Sequence, residues 1–151
     1  SVKNSGTIDT FVRVIITKSW QDKEGKKNTT LSPDLIELNF LTDNGWQIAN
    51  AQSTKERTVL YYTKAVAAGD TTPALSDTLR INPSIASDVT KHVTESEKGK
   101  SITYTYKYNG YTFHIDAEVD AVQTHNAKDA IKSAWGVDIN VSDDETTMSL
   151  Q

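Results

Sequence analysis

Cysteine is absent from this chain. That excludes a disulfide framework, a thiolate nucleophile and any zinc site built on sulfur. Histidine is scarce, and His92, His114 and His125 have no partner four residues away. The two-histidine helix of the common zinc proteases therefore cannot form. There is no Gly-x-Ser-x-Gly elbow and no phosphate-binding glycine-rich loop, and a triad assembled from distant Ser, His and Asp would leave no local signature. No apolar run approaches the roughly 18 residues of a membrane helix. A basic surplus is missing too: 16 Lys and Arg stand against 20 Asp and Glu, for a net charge of −4. The densest basic run, Lys23, Lys26 and Lys27, is interleaved with Asp22, Glu24 and Gly25, which describes a solvated loop rather than a nucleic-acid footprint. No enzymatic activity, cofactor, nucleic-acid partner or membrane partner is expected.

What is present is a succession of short β-branched and aromatic runs broken by turn chemistry. Phe11 to Trp20 is apolar on both phases, with Phe11, Arg13, Ile15 and Thr17 on one face and Val12, Val14, Ile16 and Lys18 on the other. A strand of that kind belongs in the middle of a sheet. Ser32-Pro33-Asp34 is a helix-start signal with room for only a turn before Ile36 to Phe40 resumes strict alternation. Trp46 to Ala51, Thr58 to Val66 and Ser76 to Ile81 read as further strands.

Asn109-Gly110 is the strongest hairpin signal, because both central residues of a type I′ turn take positive φ. A two-residue loop there sets Tyr108 opposite Tyr111, Tyr106 opposite Phe113, and Tyr104 opposite Ile115, giving one aromatic face that reads as core. Exposed, the same residues would form a carbohydrate platform. The opposite face carries His114, Asp116, Glu118 and Asp120 at period two, across from Thr105, Thr103 and Ser101. Neighbours on one strand face stand about 6.6 Å apart, so these four candidate metal ligands would need help from another strand to build a full shell. The solvent face of a half-buried strand explains them equally well, and no bound metal is expected.

One helix is predicted, from Asn126 to Trp135. Asn126 offers a cap with Asp129 three residues on, Ala127, Ala130, Ile131, Ala134 and Trp135 supply the apolar stripe, and Gly136 ends it. Val137 to Val141 reads as an edge strand. Residues 143–151 read as a polar tail, either disordered or offered to a neighbour as an extended strand through Thr146, Met148 and Leu150. The expectation is one domain over residues 1–142, mainly β: an antiparallel two-sheet sandwich, jelly-roll-like, with Trp46, Tyr61, Tyr104, Tyr106, Phe113 and Trp135 contributing to its core.

The opening run Val2 to Val14 is similar to the first motif of the TasA and camelysin family, secreted subunits that Gram-positive bacteria polymerise into biofilm fibres. It most resembles the clostridial alternate signal-mediated exported, pilin-like members. In that family a strand ends in a Lys-Asn-x-Gly-Thr turn and resumes as an aromatic-Val-Arg strand, matched here by Lys3, Asn4, Gly6, Thr7, Phe11, Val12 and Arg13. Gly45-Trp46, Tyr61-Tyr62-Thr63-Lys64, Gly69 to Leu75, Leu79-Arg80-Ile81, Ile115 to Gln123 and Trp135-Gly136 resemble the rest of the family pattern more loosely.

The resemblance implies a structural subunit of an extracellular matrix fibre, secreted, with copies of itself and related matrix subunits as partners. Assembly would run head to tail by strand donation, with Val2, Lys3, Asn4, Phe11 and Arg13 as assembly residues. It further implies that a signal peptide has been removed, that residues preceding Ser1 supply the donated strand, and that the accepting groove lies beside an early strand such as Phe11 to Trp20. The alternatives are a monomeric secreted adhesion or ligand-binding module, and then a secreted hydrolase.

Overall fold

The computed structural model describes residues 1–83, 90–95, 101–108 and 110–151. It is mainly β, with antiparallel strands and a single α-helix near the C-terminus. The strands are β1 (Thr10–Gln21), β2 (Lys27–Asn28), β3 (Ile36–Phe40), β4 (Trp46–Ile48), β5 (Arg57–Val66), β6 (Ser76–Ile81), β7 (Thr90–Glu95), β8 (Ser101–Tyr108), β9 (Tyr111–Gln123), β10 (Ile139–Val141) and β11 (Met148–Leu150), and α1 is Ala127–Trp135.

A large sheet runs in the order β4-β5-β1-β9-β8-β7, with β2 added to the end of β1. β1 lies at its centre because both its faces are apolar and both need cover. On one face Val12, Val14, Ile16, Leu60, Tyr106, Phe113 and Ile115 form a core that the two-stranded sheet β3-β6 covers through Ile36, Leu38, Leu79 and Ile81. On the other face Phe11, Val59, Tyr61 and Val122 are covered by α1 and the β10-β11 ribbon through Ala127, Ile131, Ile139 and Met148. The two sheets make the sandwich, and the second is only two strands wide.

The hairpin register agrees with the sequence pattern, with Tyr108 opposite Tyr111, Tyr106 opposite Phe113 and Tyr104 opposite Ile115. Gly110 takes φ +80°, while Asn109 lies outside the described residues. The aromatic face is core and not a platform: Tyr106 and Phe113 are buried, and burial, with Tyr104 adding to it, raises the Tyr106 phenol above its ordinary pKa. Trp20 packs on Phe113 with ring centroids 4.9 Å apart, and its indole N–H donates to the Ser32 carbonyl at 2.9 Å. Trp46 does the same with Pro73 at 3.0 Å, so neither buried indole lacks a partner. Beside Trp46, Gly45 has φ +105°, and a Cβ there would meet the Tyr62 ring at 2.7 Å.

Three local expectations are corrected. The Trp46 to Ala51 strand stops at Ile48, and Asn50–Gln52 forms a 3-10 turn instead. Asn126 does not cap α1 through its side chain: it is left-handed at φ 55°, a conformation Asn tolerates better than most residues, so the capping box is not made. Gly136 does end the helix, left-handed at φ 70° with its N–H donating to the Lys132 carbonyl.

The third correction concerns residues 143–151, which are part of the domain and not a tail. Ser142 and Asp144 hold a tight turn: the Ser142 and Thr146 hydroxyls each donate to Asp144 Oδ1 at 2.7 Å, and the Thr147 amide donates to Ser142 Oγ at 3.0 Å. Those hydroxyls lower the pKa of the Asp144 carboxyl. The turn sends the chain back along β10, pairing Ile139 with Leu150 and burying Met148. The same Thr146, Met148, Leu150 alternation that would suit a donated strand is thus used within its own subunit.

Candidate functional site: an open apolar groove

The five residues expected to assemble subunits have different fates. Asn4 is buried, with its side-chain amide donating to the Ile8 carbonyl at 2.8 Å and the Val66 carbonyl at 2.9 Å, while its Oδ1 accepts from the Gly6 amide at 3.0 Å. Its backbone exchanges hydrogen bonds with Gly69 and Asp70. The Lys-Asn-x-Gly-Thr turn is therefore a clasp that fastens the start of the chain to the end of β5. Phe11 is wholly buried under α1. Both side chains are occupied within their own domain.

Arg13 is also occupied within its own domain. Its Nε and Nη2 donate to Asp120 Oδ2 at 3.1 and 2.6 Å, and its guanidinium lies 4.9 Å from the centre of the Trp135 ring. Trp135 in turn meets Tyr61 edge-on at 5.8 Å. This chain of contacts docks the last turn of α1 on the sheet. Arg13→Ala is expected to cost about 2 kcal/mol, because a charge-assisted fork and a stacked cation are lost together. Arg13→Lys should recover little of it, since an ammonium can neither fork nor stack in the same way. Chemical denaturation measures the loss, and hydrogen exchange of the α1 amides shows whether the helix is what loosens.

Val2 and Lys3 do lie at a candidate site. Val2 packs on the core and pairs with Thr72, whose hydroxyl accepts from the Val2 amide at 2.9 Å, and Lys3 bridges to Thr71. Residues 1–6 form one end of an open groove of about 1690 Å³. The groove runs between the edge of the β3-β6 sheet and the face of β1, β9 and β8 beside it. Its walls include five consecutive residues from Leu75 to Leu79 and six from Ala117 to Val122.

Consecutive residues on a strand point to opposite faces, so a wall that includes all of them is the strand's backbone edge. The pairing agrees. β8 accompanies β9 only from Tyr111 to Glu118, so among the described residues Val119 to Gln123 pair with β1 alone. Among the described residues β6 pairs with β3 alone. The floor is apolar, formed by Val12, Val14, Ala117 and Ala121 with Leu38 and Leu79 along the side. At its edge the Thr10 hydroxyl is buried with no hydrogen-bond partner among the described residues. On the rim the Asn39 amide donates to Asp77 at 2.7 Å and is the main cause of that carboxyl's lowered pKa.

The groove does lie against β1, but β1 supplies its floor and not its open edge, because β9 pairs with the whole of β1 on one side while β5, over Thr10 to Thr17, and β2, at Trp20 and Gln21, pair with it on the other. Sequence reasoning missed Leu75 to Leu79 and Ala117 to Val122. The available signal was the pair of alanines, Ala117 and Ala121, which leave the floor shallow where a core strand would carry larger side chains.

The row His114, Asp116, Glu118 and Asp120 does not converge. Asp120 is held by Arg13, Asp116 accepts from the Thr103 hydroxyl at 2.6 Å, and His114 Nδ1 stands 3.5 Å from the Thr105 hydroxyl. Among the described residues no group of three His, Cys, Asp or Glu side chains is placed to hold a metal ion. No described helix is long and apolar enough to cross a membrane.

No family model matches the chain, and neither the curated proteins nor the solved structures contain a match.

Proposed function

We propose that this chain is a structural subunit of an extracellular biofilm-matrix fibre, and that a strand from the next subunit lies in the groove between β6 and β9. The observation that carries the reading is that two backbone edges, unpaired among the described residues, flank one apolar floor. An extended segment entering there satisfies ladder hydrogen bonds while its alternate side chains cover Val12, Val14, Ala117 and Ala121. A contact between a groove and a segment elsewhere on the same chain is heterologous. Repetition without closure gives a filament. The resemblance of Lys3, Asn4, Gly6, Thr7, Phe11, Val12 and Arg13 to the opening motif of secreted fibre subunits supports the same reading.

Ala121 gives the sharpest test, because it is exposed and lines the groove. Ala121→Arg should leave the isolated subunit about as stable as the parent, within roughly 0.5 kcal/mol, as exposed substitutions usually are. It should abolish fibres seen by negative-stain microscopy of the mature protein, since a guanidinium on the floor would be buried by the incoming strand. Fibres of normal length from Ala121→Arg would sink the groove as the contact. A parent protein that stays monomeric under every condition would sink the fibre itself.

A further inference from the structure

β7 ends the large sheet. It pairs with β8, and among the described residues nothing pairs with its outer edge. Lys91, His92, Val93, Thr94 and Glu95 are all exposed, so side chains on both faces of this strand stand clear of the layers that cover the sheet's centre. Val93, 44% exposed, is one of two large hydrophobic side chains left in solvent among the described residues. An unprotected edge is a template for another strand. A lysine on it discourages arbitrary partners, and the question is which partner the pattern suits.

The pattern suits itself. When a strand pairs antiparallel with its own copy across a two-fold axis normal to the sheet, side chains keep their faces, so odd positions oppose odd and even oppose even. The axis must then pass through a residue. Centred on Val93, the pairing sets Val93 against Val93 of the second copy, Lys91 against Glu95 on both sides of it, and His92 against Thr94 on the opposite face. Centred on His92, it sets Lys91 against Val93 and stacks the two histidines, with no opposite charges facing. The first register matches every position. Lys91 is already held on the correct face, its ammonium lying 5.2 Å from the centre of the Tyr104 ring.

We propose that two copies of this chain associate edge to edge through β7, antiparallel, with Val93 on the axis and a Lys91–Glu95 pair on each side. The contact is made through the backbone edge of β7 and does not depend on strand donation, although Lys91 also lines the groove. With only five residues of each copy in contact it is a small interface, and association should be weak and visible at high protein concentration.

Charge reversal tests it without touching the core. Lys91→Glu places Glu against Glu, and Glu95→Lys places Lys against Lys, so each variant alone should dimerise about tenfold more weakly than the parent in sedimentation equilibrium. An equimolar mixture of the two restores both opposite-charge pairs and should return association to the parental level. Both positions are exposed, and unchanged melting temperatures for the two variants would show that folding is intact. Three results would each overturn the proposal: a parent that is monomeric at the highest concentration reached, single variants that associate as the parent does, or a mixture no stronger than its components.

Discussion

Phe113→Ala is expected to lose about 4 kcal/mol of folding free energy in chemical denaturation, the upper part of the range for a large aromatic cut back inside a core. Phe113 is wholly buried, lies opposite Tyr106 across the hairpin, and supports the Trp20 ring at 4.9 Å. Removing the ring leaves a cavity bounded by strands on either side, which cannot collapse without bending the sheet. Domains of this size have about 5 to 15 kcal/mol in total, so the variant should be only marginally folded near body temperature. Phe113→Leu should recover more than half of the loss. A Phe113→Ala protein as stable as the parent would mean that this face is not packed as described.

Asn4→Ala should be nearly as damaging, at about 3 kcal/mol, although it removes only a small polar side chain from near the chain terminus. Two carbonyls, Ile8 and Val66, would be left without the donor that satisfies them, and each such loss costs about 1–3 kcal/mol where water cannot replace it. Asn4→Asp separates the hydrogen bonds from the shape. Its carboxylate would face the same two carbonyl oxygens, and both that repulsion and burial favour the protonated acid, outweighing the one amide of Gly6. The folded pKa is then raised above the unfolded value of about 3.9. A raised folded pKa gives stability that is fully present below the unfolded pKa and is lost as pH rises through the folded one. Asn4→Asp should therefore approach the parent near pH 3 and fall away towards neutrality, whereas the deficit of Asn4→Ala should be much the same at both. A pH-independent deficit for Asn4→Asp would show that the clasp is held by something other than this amide.

The strands and the hairpin register were legible in the sequence because they rest on local rules. Alternation puts Phe11 and Val12 on opposite faces, and a two-residue loop sets Tyr106 against Phe113. The centrality of β1 was legible for the same reason, since apolar residues on both phases demand cover on both sides. What escaped was set by pieces distant in sequence. Arg13 reads as a surface charge until Trp135 and Asp120 are brought to it. The 143–151 segment reads as a tail until the Ser142 and Asp144 hydrogen bonds reverse its direction and Met148 joins the buried cluster that includes Tyr61. The groove escaped because it is defined by strand ends: among the described residues β8 accompanies β9 only as far as Glu118, and β6 has one neighbour instead of two. No pattern within a single run reports where its partner stops.

The central place of β1 has a consequence for how the molecule comes into being. Thr10 pairs with Gln123 and Gln21 with Thr112, so the middle strand of the sheet finds one of its two neighbours only in the last third of the chain. Closing so long a loop before any contact rewards it is entropically costly, and topologies dominated by such pairings fold in milliseconds to seconds. A polypeptide emerging from a ribosome with its N-terminus first therefore cannot complete its large sheet until Gln123 has passed, although the partners of β5 and of β3 are already present by Ile81. Until then one edge of β1 has no partner, and completion of the fold is timed by the arrival of β9.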